Sequence, residues 1–304
     1  MIQSTEFFWW KFELVFPPDV EESFLWFLNM AGIKSYAIER SPDNLQDQTL
    51  MVWLPSHEWL KKDREEFENS LLALNKAFRE DVLNTKWEKI IDEDWSSSWK
   101  KFWKADPVGS KILILPSWLE LPDIYSNRIV IKLDPGSAFG TGSHPTTRLC
   151  LEDLERNPPL GKKVVDIGCG SGVLGIAAIK LGAKEVRAID IDSLAVRATS
   201  ENIVLNNLSQ KQLSVSLGSI ENLANQLNPL SADLLICNTL SPVIKELAPY
   251  FFKLTHSYSR LCLSGLLVAQ VEDITNFLSI LGWELIDSYS SDNWALIRLC
   301  RNHP

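Results

Sequence analysis

The stretch VVDIGCGSG, from Val164 to Gly172, carries the densest chemical signal in the chain. β-Branched residues lead into glycines at every second position, and the apolar run GVLGIAAIKLG follows, so a strand is predicted to turn sharply into a helix here. Glycine at such a turn lets a ligand come close to the backbone, and the start of the helix offers unspent N–H donors. The ligand class is a nucleotide or nucleoside. Asp190 closes the next predicted strand, EVRAIDI, where a carboxylate can accept hydrogen bonds from ribose hydroxyls, and Asp166 is expected to bracket the pocket from the other side. Gly170, Gly172 and Gly175 also satisfy the GxGxxG spacing of dinucleotide sites, so the glycines alone leave that ligand open.

Two more loops carry polar residues of the right kind. LDPGSAFGTGSHPTT, Leu133 to Thr147, is rich in Gly, Pro, Ser and Thr and runs into the helical pattern TTRLCLEDLE. Phe139 could lie on an adenosyl or sulfonium group and Thr147 could hydrogen-bond from the first helical turn, although a plain surface loop with a capped helix has the same wording. His144, followed by Pro145, is expected to fix the loop rather than act as a base. His57, His256 and His303 stand alone, so no metal site is expected. In LLICNTLSP, Asn238 follows a predicted buried strand and can turn its carbonyl oxygen to an amine, orienting the lone pair without adding charge. Asp166 followed by the tight Gly168, Gly170, Gly172 spacing makes little provision for a pyrophosphate, which favours S-adenosylmethionine over a dinucleotide.

These loops must be held by regular elements. From Gly161 onward strand and helix patterns alternate, which implies a mostly parallel, doubly wound sheet with helices on both faces. The last two strands, joined by SSDN, read as a hairpin. Residues 1–91 read as a smaller α+β domain with strands around two helices, compatible with a ferredoxin-like layer. Trp95, Trp99 and Trp103 recur every fourth residue and predict a linker helix over 92–104, its indoles packed on a neighbour, ahead of a catalytic domain over 105–304.

Composition bounds the rest. The 304 residues exceed one ordinary domain, and 30 Lys and Arg against 39 Asp and Glu leave a net charge of −9. That balance disfavours direct nucleic-acid binding and permits attraction to a basic partner. Cys150, Cys169, Cys237, Cys262 and Cys300 form no CxxC pair, and with no long apolar span the expectation is a cytoplasmic chain without a membrane partner.

DPGSAFGTGSHPTT, VVDIGCGSGVLGIAAIKLGA, AIDID and CNTLSPVIKELAP together resemble the PrmA family, which methylates ribosomal large-subunit protein eleven. The likeness extends to DEDWSSSWKKFWKADPVGSKILILPSW, and so reaches from about Asp92 to the C-terminus. It implies a class I S-adenosylmethionine-dependent methyltransferase with a Rossmann-like sheet, preceded by a substrate-recognition domain. It also implies methylation of lysine ε-amines or the N-terminal α-amine of that ribosomal protein. Carried over by motif, cofactor contacts fall on Thr147, Gly168, Asp190 and Asn238, with Asn238 also at the reacting centre, and Gly170 of the same glycine turn is expected to join them. The sequence departs from the family wording at Cys237 and Thr239 around Asn238, and at Ser137 and Ser143. Gly218-Ser219 offers no acidic partner for the adenine amine, which leaves the adenine contacts unassigned.

Overall fold

A computed structural model describes residues 8–33, 35–40, 48–56, 58–76, 84–90, 103–134, 142–226 and 232–301. The chain divides into two units, Met1–Lys104 and Ala105–Pro304. In the first, strand β1 (Trp9–Phe16), helix α1 (Glu21–Met30), strands β2 (Tyr36–Arg40) and β3 (Gln48–Pro55), helix α2 (Lys61–Lys76) and strand β4 (Thr85–Ile90) follow one another. The strands lie in the order β2-β3-β1-β4 with every neighbouring pair antiparallel, which is the split βαβ layout of a ferredoxin-like layer. Period-two alternation sets the faces: Phe12, Leu14 and Phe16 are buried, while Lys11 and Glu13 between them pair at 2.5 Å. Trp103 donates its indole N–H to the Tyr36 carbonyl at 3.1 Å, in line with a packing role. Trp103 and Lys104 lie in no helix, and residues 92–102 of the linker helix expected over 92–104, with Trp95 and Trp99, lie outside the described residues.

The second unit opens with strands β5 (Asp106–Val108), β6 (Ile112–Pro116) and β7 (Ile129–Leu133), which form a separate three-stranded sheet. Nothing in the sequence pattern announced it, because strands of three and five residues are too short to show a period. Helix α3 (Pro145–Arg156), strand β8 (Lys163–Ile167), helix α4 (Val173–Lys180), strand β9 (Glu185–Asp190), helix α5 (Ser193–Leu205) and strand β10 (Leu213–Leu217) come next. After them run helix α6 (Ile220–Gln226), strand β11 (Ala232–Asn238), helix α7 (Ser241–Leu254), strand β12 (Thr255–Leu267), helix α8 (Val271–Ile280) and strands β13 (Trp283–Ser291) and β14 (Trp294–Arg301). Short α6 was not expected from the sequence.

Seven of these strands form one sheet in the order β10-β9-β8-β11-β12-β14-β13. The first five are parallel, and β14 runs against both neighbours as the expected hairpin, with Ser291 opposite Trp294. Side chains of β8 alternate between two cores. Val164 joins Leu149, Ile176 and Ile203, under which the small sheet adds Ile112, Ile114 and Ile131. Val165 and Ile167 join Ile244, Phe251 and Ile274 on the opposite face. Because the order reverses beside β8, the loops after β8 and β11 diverge to opposite faces and open a crevice at the carboxyl edge.

Candidate active site at the carboxyl edge of the sheet

Strand register delivers the three edge residues together. Ile167 of β8 pairs with Ile189 of β9 and with Cys237 of β11, so Gly168, Asp190 and Asn238 each stand one residue further, at the same edge. Gly168 has φ +68°, a left-handed conformation that favours glycine, and its N–H is held by the Ile189 carbonyl at 2.9 Å. A Cβ built there would meet no atom of the described residues within 4 Å, so among them the glycine faces open space. At Gly172, with φ +78°, a Cβ would instead lie 2.7 Å from the Thr199 methyl, which makes that glycine a packing requirement.

The predicted contact residues separate into distinct jobs. Asn238 donates its Nδ2 to the Thr147 hydroxyl at 3.3 Å, joining the end of β11 to the first turn of α3 across 91 residues of sequence. Among the described residues the Asn238 Oδ1 has no partner and remains an acceptor. Asp190 accepts from the Gly170 N–H and the Asp192 N–H, both at 3.0 Å, so its carboxylate braces the glycine turn while each oxygen keeps a lone-pair direction for a ligand hydroxyl. Gly170 is buried, with its N–H on Asp190 and its carbonyl taking the Thr199 hydroxyl at 2.8 Å; the structure gives it a turn-building job. Gly218, following β10, donates to the Asp190 carbonyl at 2.9 Å and brings the third loop alongside.

Asp166 does not bracket the crevice as expected. Its side chain is 1% exposed and points into α4, accepting the Gly175 N–H at 3.0 Å. Burial pushes its carboxyl up to about 7, opposed by that hydrogen bond and assisted by the negative charge of Asp190. His144 caps α3, its Nδ1 accepting from the Thr146 N–H at 3.3 Å, as a loop-fixing role requires. Phe139 and His57 lie outside the described residues, as does His303. His256 faces Asp233 at 3.4 Å at the start of β12, at the opposite edge of the sheet.

Sequence reasoning passed over Thr199, Asn202 and Asn206 on α5, all buried. Their spacing of three and four put polar groups where a helix would carry its apolar stripe, and that was the available signal.

The sequence profile of the family described as ribosomal protein L11 methyltransferase (PrmA) matches residues 8–302. The chain belongs to the ribosomal protein L11 methyltransferase family. It is 48% identical to the ribosomal protein L11 methyltransferase of Prochlorococcus marinus (strain MIT 9313), over 95% of this chain and 96% of that protein. Identity to the corresponding protein of Parasynechococcus marenigrum (strain WH8102) is 49%, over 94% and 99% respectively. The crystal structure of a ribosomal protein L11 methylase from Lactobacillus delbrueckii subsp. bulgaricus superposes with a TM-score of 0.60 at 28% identity, over 66% of this chain and all of that one. A methyltransferase of this family uses S-adenosylmethionine, and the crevice fits such a ligand. Open space before Gly168, spare lone pairs on Asp190 and a free acceptor on Asn238 answer to a nucleoside with a reactive centre at one end.

Proposed function

We propose that the chain transfers methyl groups from S-adenosylmethionine to lysine ε-amines, the N-terminal α-amine, or both, of ribosomal protein L11, with Asn238 at the reacting centre. The observation that carries this reading is the hydrogen bond from Asn238 to Thr147, which holds the carboxamide by its nitrogen and leaves its oxygen without a partner among the described residues. When bound, the cofactor would supply a methyl group on a sulfonium, and an uncharged amine would take it in line, the N–C bond forming as the S–C bond breaks and the thioether S-adenosylhomocysteine leaves. Asn238 Oδ1 accepts a hydrogen bond from that amine and aims its lone pair, a contribution of orientation rather than of proton abstraction. A lysine with an ordinary pKa of about 10.4 arrives protonated, so the crevice must favour the neutral amine by desolvation and release the proton to water. Asp190 holds the ribose, and Gly168 allows the nucleoside to approach the backbone.

In the same reading, residues 1–91 select the protein substrate and 105–304 carry the chemistry. All the polar groups described at the crevice belong to the second unit, which supports that division. An excess of acidic residues, net −9, favours encounter with a basic protein, and raised salt is expected to slow it. A cytoplasmic site of action follows from the substrate; no helix among the described residues is long and apolar enough to cross a membrane. Mass spectrometry of ribosomal protein L11 after incubation with the chain and S-adenosylmethionine tests the proposal. Mass gains in steps of one methyl on its amines are expected, and an unmodified protein with intact cofactor refutes it.

A further inference from the structure

Helix α5 and its C-cap turn three buried polar side chains toward backbone of neighbouring segments, at positions 199, 202 and 206. Thr199 donates to the Gly170 carbonyl at 2.8 Å. Asn206 closes on a single residue of β7, accepting from the Lys132 N–H at 3.0 Å and donating to the Lys132 carbonyl at 2.7 Å. Asn202 does something different. Its Nδ2 donates to the Ser171 carbonyl at 2.9 Å, in the glycine turn after β8, and its Oδ1 accepts from the Asp134 N–H at 3.1 Å, at the exit of β7. From Asp134 the sequence continues as PGSAFGTG toward α3 and Thr147. One carboxamide, 0% exposed, thus ties the loop that holds Gly168 and Gly170 to the start of the loop that leads to Thr147.

We propose that Asn202 is a positioning residue for the cofactor site, its carboxamide setting the separation of the glycine turn at Ser171 from the β7 exit at Asp134 before any ligand arrives. The inference rests on the reading of the crevice as an S-adenosylmethionine site. Buried amide groups left without partners are costly, so with both ends of Asn202 satisfied a single loop spacing is strongly favoured. A pocket whose walls are already spaced binds without having to order them, and this raises affinity without any contact to the ligand. Asn206 is a control within the same helix. It is 6% exposed and bonded at both ends of its amide, yet those bonds reach Lys132 of β7 and the backbone carbonyl of Asn202, and never the glycine turn.

The test uses the full chain and the variants Asn202→Leu, Asn202→Asp and Asn206→Leu. Binding of S-adenosylmethionine is measured by calorimetry, unfolding by thermal denaturation, and backbone amide exchange on the cofactor-free protein. Asn202→Leu is expected to bind about tenfold more weakly, and Asn206→Leu within about twofold of the parent even where it unfolds at the lower temperature. Asn202→Asp keeps an acceptor for Asp134 but no donor for Ser171, and falls between them. In cofactor-free Asn202→Leu, exchange quickens both at Asp134 and across the glycine turn; in Asn206→Leu it quickens at Lys132 and spares that turn. Equal losses of affinity in the two leucine variants, or parental affinity in Asn202→Leu, overturn the proposal. Should the parent itself fail to bind S-adenosylmethionine, the cofactor reading falls, and amide exchange still decides. Quickening at both loops upholds the coupling, and quickening at Asp134 alone removes it.

Discussion

The two units solve the problem of a stable interior with different materials. In the first, rings do the filling. Phe67 of α2 sits with its centroid 5.3 Å from Phe12, 5.5 Å from Trp59, 5.7 Å from Phe27 and 6.2 Å from Trp87, and Arg64 lies 3.7 Å over Trp10. In the second, aliphatic residues and alanines fill much of two cores on either face of the sheet, and Asp166, Ser171, Thr199 and Asn202 are buried at or beneath the glycine turn. Few large rings in a small volume give the most apolar area per residue, which suits a short chain segment with one sheet face to cover. Buried polar groups cost stability unless every bond is made, and they gather where backbone loops must keep a fixed shape for chemistry. The contrast teaches that the interior of the first unit is filled by a few rings, while the second holds satisfied polar contacts beneath the loops of the proposed cofactor site.

The largest effect is expected where the ring cluster is opened. Phe67→Ala should destabilise the first unit by about 3–5 kcal/mol, since truncating a buried Phe removes its transfer energy and leaves a cavity. Calorimetric unfolding together with S-adenosylmethionine binding checks this; a matching loss of cofactor affinity would show that the two units are not separable as drawn. Asn238→Ala makes the opposite cut. Turnover in a single-turnover assay should fall by about 10²-fold through lost orientation, while thermal unfolding changes little. Near-parental chemistry would remove Asn238 from the reacting centre.

Asp190→Ala should weaken S-adenosylmethionine binding by about 1.5–3 kcal/mol, but the carboxylate also braces Gly170, so the loss alone does not name its cause. A cofactor analogue lacking the ribose 2′-hydroxyl separates the two. If Asp190 contacts that hydroxyl, the analogue and the substitution lose less together than the sum of their separate losses; additive losses assign Asp190 to bracing only. The last effect is a slope with pH. Burial raises the Asp166 carboxyl from 3.8 to about 7, so the folded chain keeps a proton that the unfolded chain releases between those values. The contribution to stability is therefore fully present below pH 3.8 and is lost as pH rises through about 7. Asp166→Asn, whose amide oxygen still accepts from Gly175, should flatten that decline by at most about 1.4 kcal/mol per pH unit. Denaturant unfolding at several pH values measures the slope, and an unchanged slope places the titration elsewhere.

The amino-acid sequence by itself determined the elements and the identity of the site loops. Glycine can occupy left-handed turns that other residues avoid, so VVDIGCGSG announced a strand-to-helix turn. Apolar periodicity announced the parallel strands, and the stretch SSDN announced the terminal hairpin. These are local signals, written within a dozen residues. What only the tertiary structure decided are the meetings: Asn238 with Thr147 across 91 positions, Asn202 with both Ser171 and Asp134, and Asp166 turned inward to Gly175 instead of toward the crevice. The small sheet of β5, β6 and β7 belongs with them, because strands of three to five residues are stabilised by what they pack against and not by their own pattern. A carboxylate at a strand end has the same wording whether it faces a ligand or a helix, and the choice is made by the packing of α4 beneath β8, where the Gly175 N–H lies 3.0 Å from the Asp166 carboxylate.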